Sequence, residues 1–538
     1  MRVLLIKPEF PLSFWSLAEA CKFEGRKTLM PPLGLITVAA LLPPTWEFRL
    51  ADLNTRPLTP VDWQWADLVM VTGMLIQREG GLRLIREARA RGKTVVVGGP
   101  YATSLSPEVM EAGATFLVRG EGETAIPRFL AALQADRRGG IIEEDHKPAM
   151  TTSPIPRFDL LTLDDYLTMS LQTSRGCPFD CEFCDIISLF GRKPRYKDPG
   201  QVMDEVETLY HLGWRRDVFI SDDNFIGNPT HARAILQKLI PWMKSHGEPF
   251  NFLTQASVNL GENQELMDLL TEANFSNIFL GVETPQPDLL RSARKYQNVR
   301  NPLGQSLDAI NANGLSMTAS FIIGFDHEAA GAGDRICEFV EEHSIPLVML
   351  NLLQAPPHTR LWDRLEKEGR LLASKTMGDS FSLALNFVPT RPAGEILAEY
   401  VRTVDCLYEP SRYLARAYRY YLNMRPTRRA LGLQPQAKPG GTRPPQKLPL
   451  FLRLRGGYEW LALITLIWRQ GIRPPHRWQF WRQLRGIYRK NPSRLKPYLV
   501  CCVMGENLFA LRRDIVQRWQ GAESPAAPGA QARAMAKG

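Results

Sequence analysis

No apolar run in this sequence approaches the ~20 residues that a membrane-spanning helix needs. The longest, Trp460 to Trp468, is about half that length. A secretory pattern is missing too, since Met1-Arg-Val-Leu-Leu-Ile-Lys7 runs into Pro8 and the acidic Glu9, so the chain is expected to be cytoplasmic. Cysteine is scarce: eight residues in 538 are too few for a disulfide scaffold. No repeat of fixed period is visible. What is present is ordinary globular composition, 44% hydrophobic and 23% charged, which excludes a disordered chain. The length exceeds what one core fills and predicts two to four domains.

Acidic residues are nearly absent from the last quarter. From Ser411 onward there are 25 Lys or Arg against four acids, whereas residues 1–410 hold 41 bases and 52 acids. The formal net charge of +10 is therefore a property of the tail, and an anionic partner, either membrane surface or nucleic acid, is expected for that part alone.

The pattern along the chain predicts an α/β protein in three parts. Residues 1–135 alternate short apolar runs (Val3 to Lys7, Phe48 to Leu53, Leu68 to Met74, Thr94 to Gly99, Thr115 to Arg119) with amphipathic helices, the signature of a doubly wound, Rossmann-like parallel sheet. Ligands of such sheets sit at the carboxyl ends of strands, where this chain has glycine-bearing loops: Thr72-Gly73-Met74, Gly98-Gly99-Pro100 and Arg119-Gly120-Glu121-Gly122-Glu123-Thr124. Residues 136–165 read as a linker. Residues 166–356 hold six further strand-helix units, too few for a closed eight-stranded barrel, so a partial (β/α)6 barrel of the TIM type is expected, with function at its strand ends. Residues 357–520 read as a mostly α-helical, basic C-terminal domain containing a mobile linker at Gln434 to Pro449, and 521–538 as a disordered tail.

Three of the eight cysteines crowd directly after the first strand of the second series, in Gln172-Thr-Ser-Arg-Gly-Cys177-Pro-Phe-Asp-Cys181-Glu-Phe183-Cys184. A structural zinc needs four ligands, and this loop offers three. Three thiolates on one loop can instead hold three irons of a four-iron, four-sulfur cluster and leave the fourth open. The alternative is a zinc loop or free thiols. Cys-x3-Cys-x2-Cys with an aromatic before the last thiol, placed after the first barrel strand, resembles the radical S-adenosylmethionine (SAM) superfamily. The resemblance implies a 4Fe-4S cluster on Cys177, Cys181 and Cys184 whose open iron chelates SAM. It also implies SAM contacts at Phe183, at Asp222, Asp223 and Asn224 after the second strand, at Gln255 and Ser257 after the third, and at Glu283 after the fourth. Ile323 and Gly324 match the adenine-contacting strand. Plain readings stand beside these: a loop cap before Pro229 for 222–224, and core for Ile323-Gly324. A carboxylate leaving a run as apolar as Ile278 to Val282 is costly to bury unpaired, so Glu283 is expected to meet a polar ligand.

With such a module behind it, the first domain resembles the cobalamin-binding domain of cobalamin-dependent radical enzymes. That resemblance implies cobalamin contacts at Thr72, Gly73, Met74, Gly98, Gly99, Pro100, Gly120, Glu121, Gly122 and Glu123, with glycines allowing close backbone approach. The Asp-x-His-x-x-Gly segment of methionine-synthase-like domains is missing: the first loop, Lys7-Pro-Glu-Phe-Pro-Leu-Ser-Phe-Trp15, has no His to bind cobalt from below. A second, N-terminal cluster is disfavoured because that region has only Cys21. Strings such as Pro31-Pro-Leu-Gly-Leu35, Asp222-Asp-Asn-Phe-Ile-Gly227 and Leu352-Leu-Gln-Ala-Pro-Pro357 are similar to the group that includes hopanoid 2-methylases.

This family implies a methyltransferase acting on an unactivated carbon of a lipid-like substrate: an adenosyl radical removes a hydrogen, methylcobalamin delivers the methyl, and a second SAM restores it. The protein's task is to align the groups and exclude water, so the strand ends of the two domains should converge. Rival readings are a cobalamin-dependent oxidation or cyclisation without methyl transfer, and an iron-sulfur nucleic-acid-binding protein. Expected partners are the substrate, a flavodoxin- or ferredoxin-type electron donor, and an anionic membrane met by the C-terminal domain at the inner face. Tyr458 to Trp468 and Arg477-Trp-Gln-Phe-Trp-Arg482 interleave aromatics with bases, which suits an interfacial helix, a single-strand binder or a buried helix with snorkelling arginines. Nucleic acid is the disfavoured reading. Cys337 and Cys406 read as core or as redox partners.

Overall fold

The computed structural model describes residues 1–372, 383–432 and 457–523. The linker expected at Gln434 to Pro449 and residues 524–538 of the expected tail lie outside the described residues.

The first sheet contains six parallel strands, β1 (Arg2–Lys7), β2 (Glu47–Asp52), β3 (Leu68–Thr72), β4 (Thr94–Gly98), β5 (Phe116–Arg119) and β6 (Gly140–Glu143), in the order β2-β1-β3-β4-β5-β6. Helices cover both faces, which is why β1 is apolar without alternation. Leu4 and Ile6 enter one core and Val3 and Leu5 the other. The chain leaves β1 in one direction for β2 and returns on the other side for β3, so the topological switch lies between β1 and β3. Part of the expected linker belongs to this sheet, because β6 pairs with β5 in register Phe116↔Gly140 to Arg119↔Glu143. Gly139 and Gly140 both have positive φ, and a Cβ on Gly139 would stand 2.5 Å from the Thr115 carbonyl, so a glycine-rich entry is what admits the strand.

The second sheet is the expected partial barrel. Its strands β7 (Met169–Leu171), β10 (Asp217–Ile220), β11 (Asn251–Ala256), β12 (Phe275–Glu283), β13 (Ser316–Ile323) and β14 (Leu347–Leu352) are parallel, in the order β14-β13-β12-β11-β10-β7. A short antiparallel hairpin, β8 (Ser174–Arg175) with β9 (Arg195–Tyr196), brackets the cysteine loop. Alternation separates two faces. Val218, Ile220, Phe252, Ile278, Leu280, Ala319 and Phe321 are buried against the helices. Register partners share a face, so the chain Ser170↔Phe219↔Leu253 and the chain Gln255↔Phe279↔Thr318 line the interior.

Segments outside the sheets tie the parts together. After β1 the chain forms a turn at Phe14–Ser16 and a helix at Ala18–Phe23. Phe14 enters the barrel core, and Trp15 packs against Phe279 with ring centroids 5.0 Å apart and planes inclined by 42°. The C-terminal region is helical as expected: Arg360–Lys367, Ala393–Leu407, Pro410–Asn423, Gly457–Leu466 continuing as a π-helix over Ile467–Ile472, Arg477–Lys490 and Leu495–Glu523. It is fixed to the barrel by the fully buried Arg416, which donates to the Ile345 carbonyl (3.2 Å) and pairs with Glu341 (2.8 Å), and by Tyr408 and Tyr420, whose hydroxyls meet the backbone of Val348 and Met317. No described helix is long and apolar enough to cross a membrane.

Candidate active site

The cysteine loop leaves β8 through Gly176, whose φ of 93° is in the left-handed region and whose Cβ, if present, would lie 2.9 Å from the Gly191 carbonyl. Only glycine fits there. The Gly176 N–H donates to Asp223 Oδ2 (2.8 Å), which fixes the loop to the end of β10. Cys184 N–H turns back to the Cys181 carbonyl (3.3 Å). Glu182 N–H donates to the Ala293 carbonyl (3.1 Å), and the Glu182 carbonyl accepts from Leu361 N–H (2.8 Å), so both barrel and C-terminal region hold the loop. Asp180 takes Arg360 at 2.9 Å and Arg294 at 2.7 Å.

Cys177, Cys181 and Cys184 are close enough to perturb one another electrostatically. Burial pushes the Cys177 thiol up to about 11 and the Cys184 thiol well above its ordinary value, so metal assembly must displace protons. Among the described residues no three His, Cys, Asp or Glu side chains converge as ligands of a single ion. A four-iron, four-sulfur cube takes one thiolate at each of three corners rather than three at one point. A cation also stands beside the thiols. Lys295 is buried against Cys181 and Cys184, it pairs with Glu283, and its ammonium lies 5.9 Å from the Phe183 ring centroid. Burial alone would lower its pKa; the Glu283 carboxylate and the two thiols outweigh that and hold it above the ordinary lysine value. Gln297 Nε2 adds a donor to Cys181 Sγ (3.5 Å). Three grouped thiols, a buried positive charge and an amide donor fit an anionic cluster.

The expected SAM contacts divide into two groups. Gln255 is half-buried on the interior face and makes no side-chain hydrogen bond among the described residues. Asp223 also faces the loop, and burial pushes its carboxyl up to about 7. Phe183 packs edge-on against Phe325 at 6.0 Å. These can face a cofactor. Others are already engaged. Asp222 has no exposure and accepts from Thr173 N–H (2.6 Å), Ser174 N–H (3.0 Å) and both hydroxyls, so it ties the end of β10 to the junction between β7 and β8. Asn224 and Ser257 hydrogen-bond each other (3.1 and 3.2 Å). The polar partner expected for Glu283 is Lys295. Glu283 itself has a φ of 68° at a bulge after Gly281. The Ile323 side chain is buried on the helix side, and its neighbour Ile322 takes the interior position. Gly324 (φ 106°) donates its N–H to Glu328 Oε2 (2.7 Å).

In the first domain the glycine loops gather at the carboxyl ends of β3 and β4. Gly99 (φ 92°) leaves no room for a Cβ, which would lie 2.4 Å from Thr72 Oγ1, and the Thr72 hydroxyl donates to the Gly98 carbonyl (3.3 Å). Gly73 accepts from Tyr101 N–H (3.1 Å), Pro100 opens the next helix, and Met74 is exposed. This side-chain-poor ledge suits a bulky planar cofactor. The third loop does something else. Glu121 is bound by Arg195 (2.6 Å) and by Arg175 (2.8 Å), and Glu123 by Arg175 (2.8 Å). Gly120 is closed off by Glu144, and Gly122 packs on Val38 and Leu41. The Gly120 to Glu123 segment therefore clamps the first domain to the residue before Gly176 and Cys177. The strand ends of the two domains converge through this clamp and through Trp15 on Phe279.

Reading the sequence alone missed Arg175, Arg195, Lys295, Trp15 and Glu328. Only Glu328, four residues after Gly324, has a local signal; the others are set by distant charge or ring partners.

Comparison with known proteins places these features. Residues 24–130 match the B12 binding domain, 171–340 the radical SAM superfamily, and 359–520 a domain of unknown function, DUF4070. An uncharacterized methyltransferase of Synechocystis sp. is 48% identical over 96% of this chain and 93% of its own length. The hopanoid C-2 methylase of Rhodopseudomonas palustris is 33% identical over 95% of this chain and 94% of its own. In fold, the chain is similar to the cobalamin-dependent SAM radical enzyme OxsB, solved with aqua-cobalamin and SAM (TM-score 0.56, 14% identity, 98% of this chain and 82% of that one). The chain therefore belongs to the cobalamin-dependent radical SAM methyltransferases, whose cofactors are a 4Fe-4S cluster, SAM and cobalamin.

Proposed function

We propose that the methyl acceptor is a polycyclic lipid of the hopanoid class, methylated at an unactivated carbon. The observation that carries this reading is the interior face of the barrel. Phe219, Leu253, Phe279 and Met349 are half-buried on it, and Trp15 from the first domain roofs Phe279. A lining of rings and methylenes rewards an apolar polycycle by roughly 25 cal/mol per Å² removed from water. Polar groups there are few. Asn351 Nδ2 donates to Ser320 Oγ (3.4 Å), while Asn351 Oδ1 and Ser170 Oγ are buried without a partner, enough to orient one polar group of the acceptor. The hopanoid methylase relative supports the same choice.

When bound, the cluster with SAM supplies hydrogen-atom abstraction and cobalamin supplies methyl transfer. The chain's own residues fix where these meet. Cys177, Cys181 and Cys184 hold the cluster, Lys295 offsets its charge, and Gln255 and Asp223 face SAM. The ledge of Thr72, Gly73, Met74, Gly98, Gly99 and Pro100 takes the corrin. The Arg175 clamp sets the distance between the two halves, and Trp15 closes the interior to water. A substrate of this class resides in a bilayer, so the basic C-terminal helices are assigned peripheral membrane contact. Anaerobically reconstituted enzyme given a pentacyclic triterpenoid should yield product one methylene heavier; hydrogen loss without mass gain, or turnover of a tetrapyrrole in its place, would reject the lipid reading.

A further inference from the structure

Large apolar side chains are expected to be scattered singly on a protein surface. Here they gather on one element pair. Leu461, Ile464, Trp468 and Ile472 recur at three- and four-residue spacing along the helix Gly457–Leu466 and its π-helical continuation, with Ile464 60% and Trp468 56% exposed. Trp478, Trp481 and Tyr488 form a second stripe on the helix Arg477–Lys490, with Trp478 73% exposed. The opposite sides are conventional core: Ala462 and Leu466 on the first, Phe480 and Ile487 on the second. Trp481 joins the two segments, its indole Nε1 donating to the Gly471 carbonyl at 2.8 Å.

Charge accompanies the rings. Between Trp460 and Lys490 there are seven Lys or Arg and no Asp or Glu. Arg473, Arg482, Arg485, Arg489 and Lys490 are exposed and have no acidic partner among the described residues. An apolar stripe flanked by unpaired cations complements an anionic bilayer, with tryptophan at headgroup level, apolar tips below it and arginine against lipid phosphate. The face also adjoins the barrel's roof. Arg469 pairs with Glu19 (2.7 Å) and lies over the Phe23 ring (5.2 Å), both on the helix that follows Trp15.

From this we infer that the exposed face of residues 460–490 is a docking surface for anionic membrane, seated beside the entrance to the acceptor chamber. The inference rests on the lipid-acceptor reading for its purpose; the surface itself is argued from exposure and charge. Single-stranded nucleic acid, which also binds interleaved rings and bases, is less suited because the aliphatic Leu461, Ile464 and Ile472 offer no stacking plane.

The test is flotation of the reconstituted full-length protein with vesicles of phosphatidylcholine, with and without phosphatidylglycerol. The wild type should float with the anionic vesicles at low salt and less at high salt. Ile464→Asp with Trp468→Asp, and separately Trp478→Asp, should weaken binding by about tenfold or more. Arg482→Glu with Arg485→Glu and Arg489→Glu should abolish the preference for anionic lipid. All these sites are exposed, so unchanged thermal unfolding certifies each variant. Failure of the wild type to float, undiminished flotation of the variants, or a single-stranded oligonucleotide bound through Trp478 while vesicles are not, would each overturn the inference. Flotation without methylation of any triterpenoid would keep the surface and remove the acceptor reading. Methylation of a detergent-solubilised triterpenoid without flotation would do the reverse.

Discussion

Replacing Arg175 with methionine isolates the contact between the two cofactor domains. Its guanidinium is 12% exposed and serves two carboxylates that are each 2% exposed, Glu121 and Glu123. Breaking a buried pair by removing one partner costs about 3–5 kcal/mol, because the remaining charge is left unsolvated. Glu121 keeps Arg195, so the loss falls on Glu123 and the lower end applies, about 3 kcal/mol. At roughly 2–4 °C per kcal/mol for a cooperative unit of about 150–250 residues, the scale of one of these domains, its unfolding should drop by about 6–12 °C. The pH dependence carries more information. In the wild type, burial would raise the Glu123 carboxyl, but Arg175 outweighs it and holds the carboxyl below its ordinary value. That stability is present above the unfolded value near ~4.3 and lost on acidification through the folded one. Without Arg175 the largest influence, burial, is opposed only by the hydrogen bonds from the Glu123 backbone and from Ser153. The folded value then lies above the unfolded one, and the variant loses stability as pH rises through it. The gap in unfolding temperature between wild type and Arg175→Met should therefore be wider at pH 8 than at pH 5, and Arg175→Met with Glu123→Gln should close most of it. Differential scanning fluorimetry across that range decides: an equal gap at both pH values, or a loss below about 2 °C, would refute the clamp.

Three further outcomes follow from the geometry. Lys295→Met leaves the Glu283 carboxylate buried without its cation and should destabilise by about 3 kcal/mol, with Glu283→Gln in the same chain restoring most of it, as a double-mutant cycle in denaturant would measure. Cys406 should be the first thiol alkylated by iodoacetamide. A hydrogen bond from Cys337, reinforced by Arg412 and Arg416 against burial, holds it below the ordinary thiol value, so its labelling by peptide mass spectrometry should outpace that of every other thiol at neutral pH and slow in Arg412→Ala. Trp15→Ala opens the roof over Phe279 and should raise the KM for a bulky acceptor at least several-fold, while cobalamin binding, followed by absorbance, stays unchanged.

Most of the architecture is legible in the sequence because parallel strands buried on both faces announce themselves as short apolar runs. Val3 to Ile6 has no exposure at all, and the six barrel strands fall where runs such as Thr318 to Phe325 predict. Strand β6 escaped because two residues, Ile141 and Ile142, between a glycine pair and Glu143-Glu-Asp145 leave the stretch with the composition of a linker. The cysteine loop is equally local, since the spacing of its three thiols alone marks it as a ligand set. Long-range charge pairing has no such signal. Nothing in the segment Arg119 to Thr124 distinguishes a corrin ledge from a clamp, since both need glycines and Glu121 and Glu123 acquire their partners 52 to 74 residues away. The partners of Asp222 are equally invisible in the sequence: a strand-end carboxylate reads alike whether it faces a cofactor or the backbone of Thr173 and Ser174.

The most direct test of the central claim is Mössbauer and electron paramagnetic resonance spectroscopy of the anaerobically reconstituted protein beside a variant with Cys177, Cys181 and Cys184 all replaced by alanine. The wild type should carry about four irons and four sulfides per chain in one cluster whose spectrum changes when SAM is added, and the variant should carry none. A wild type without that cluster, or a variant that keeps it and still cleaves SAM, would contradict the account.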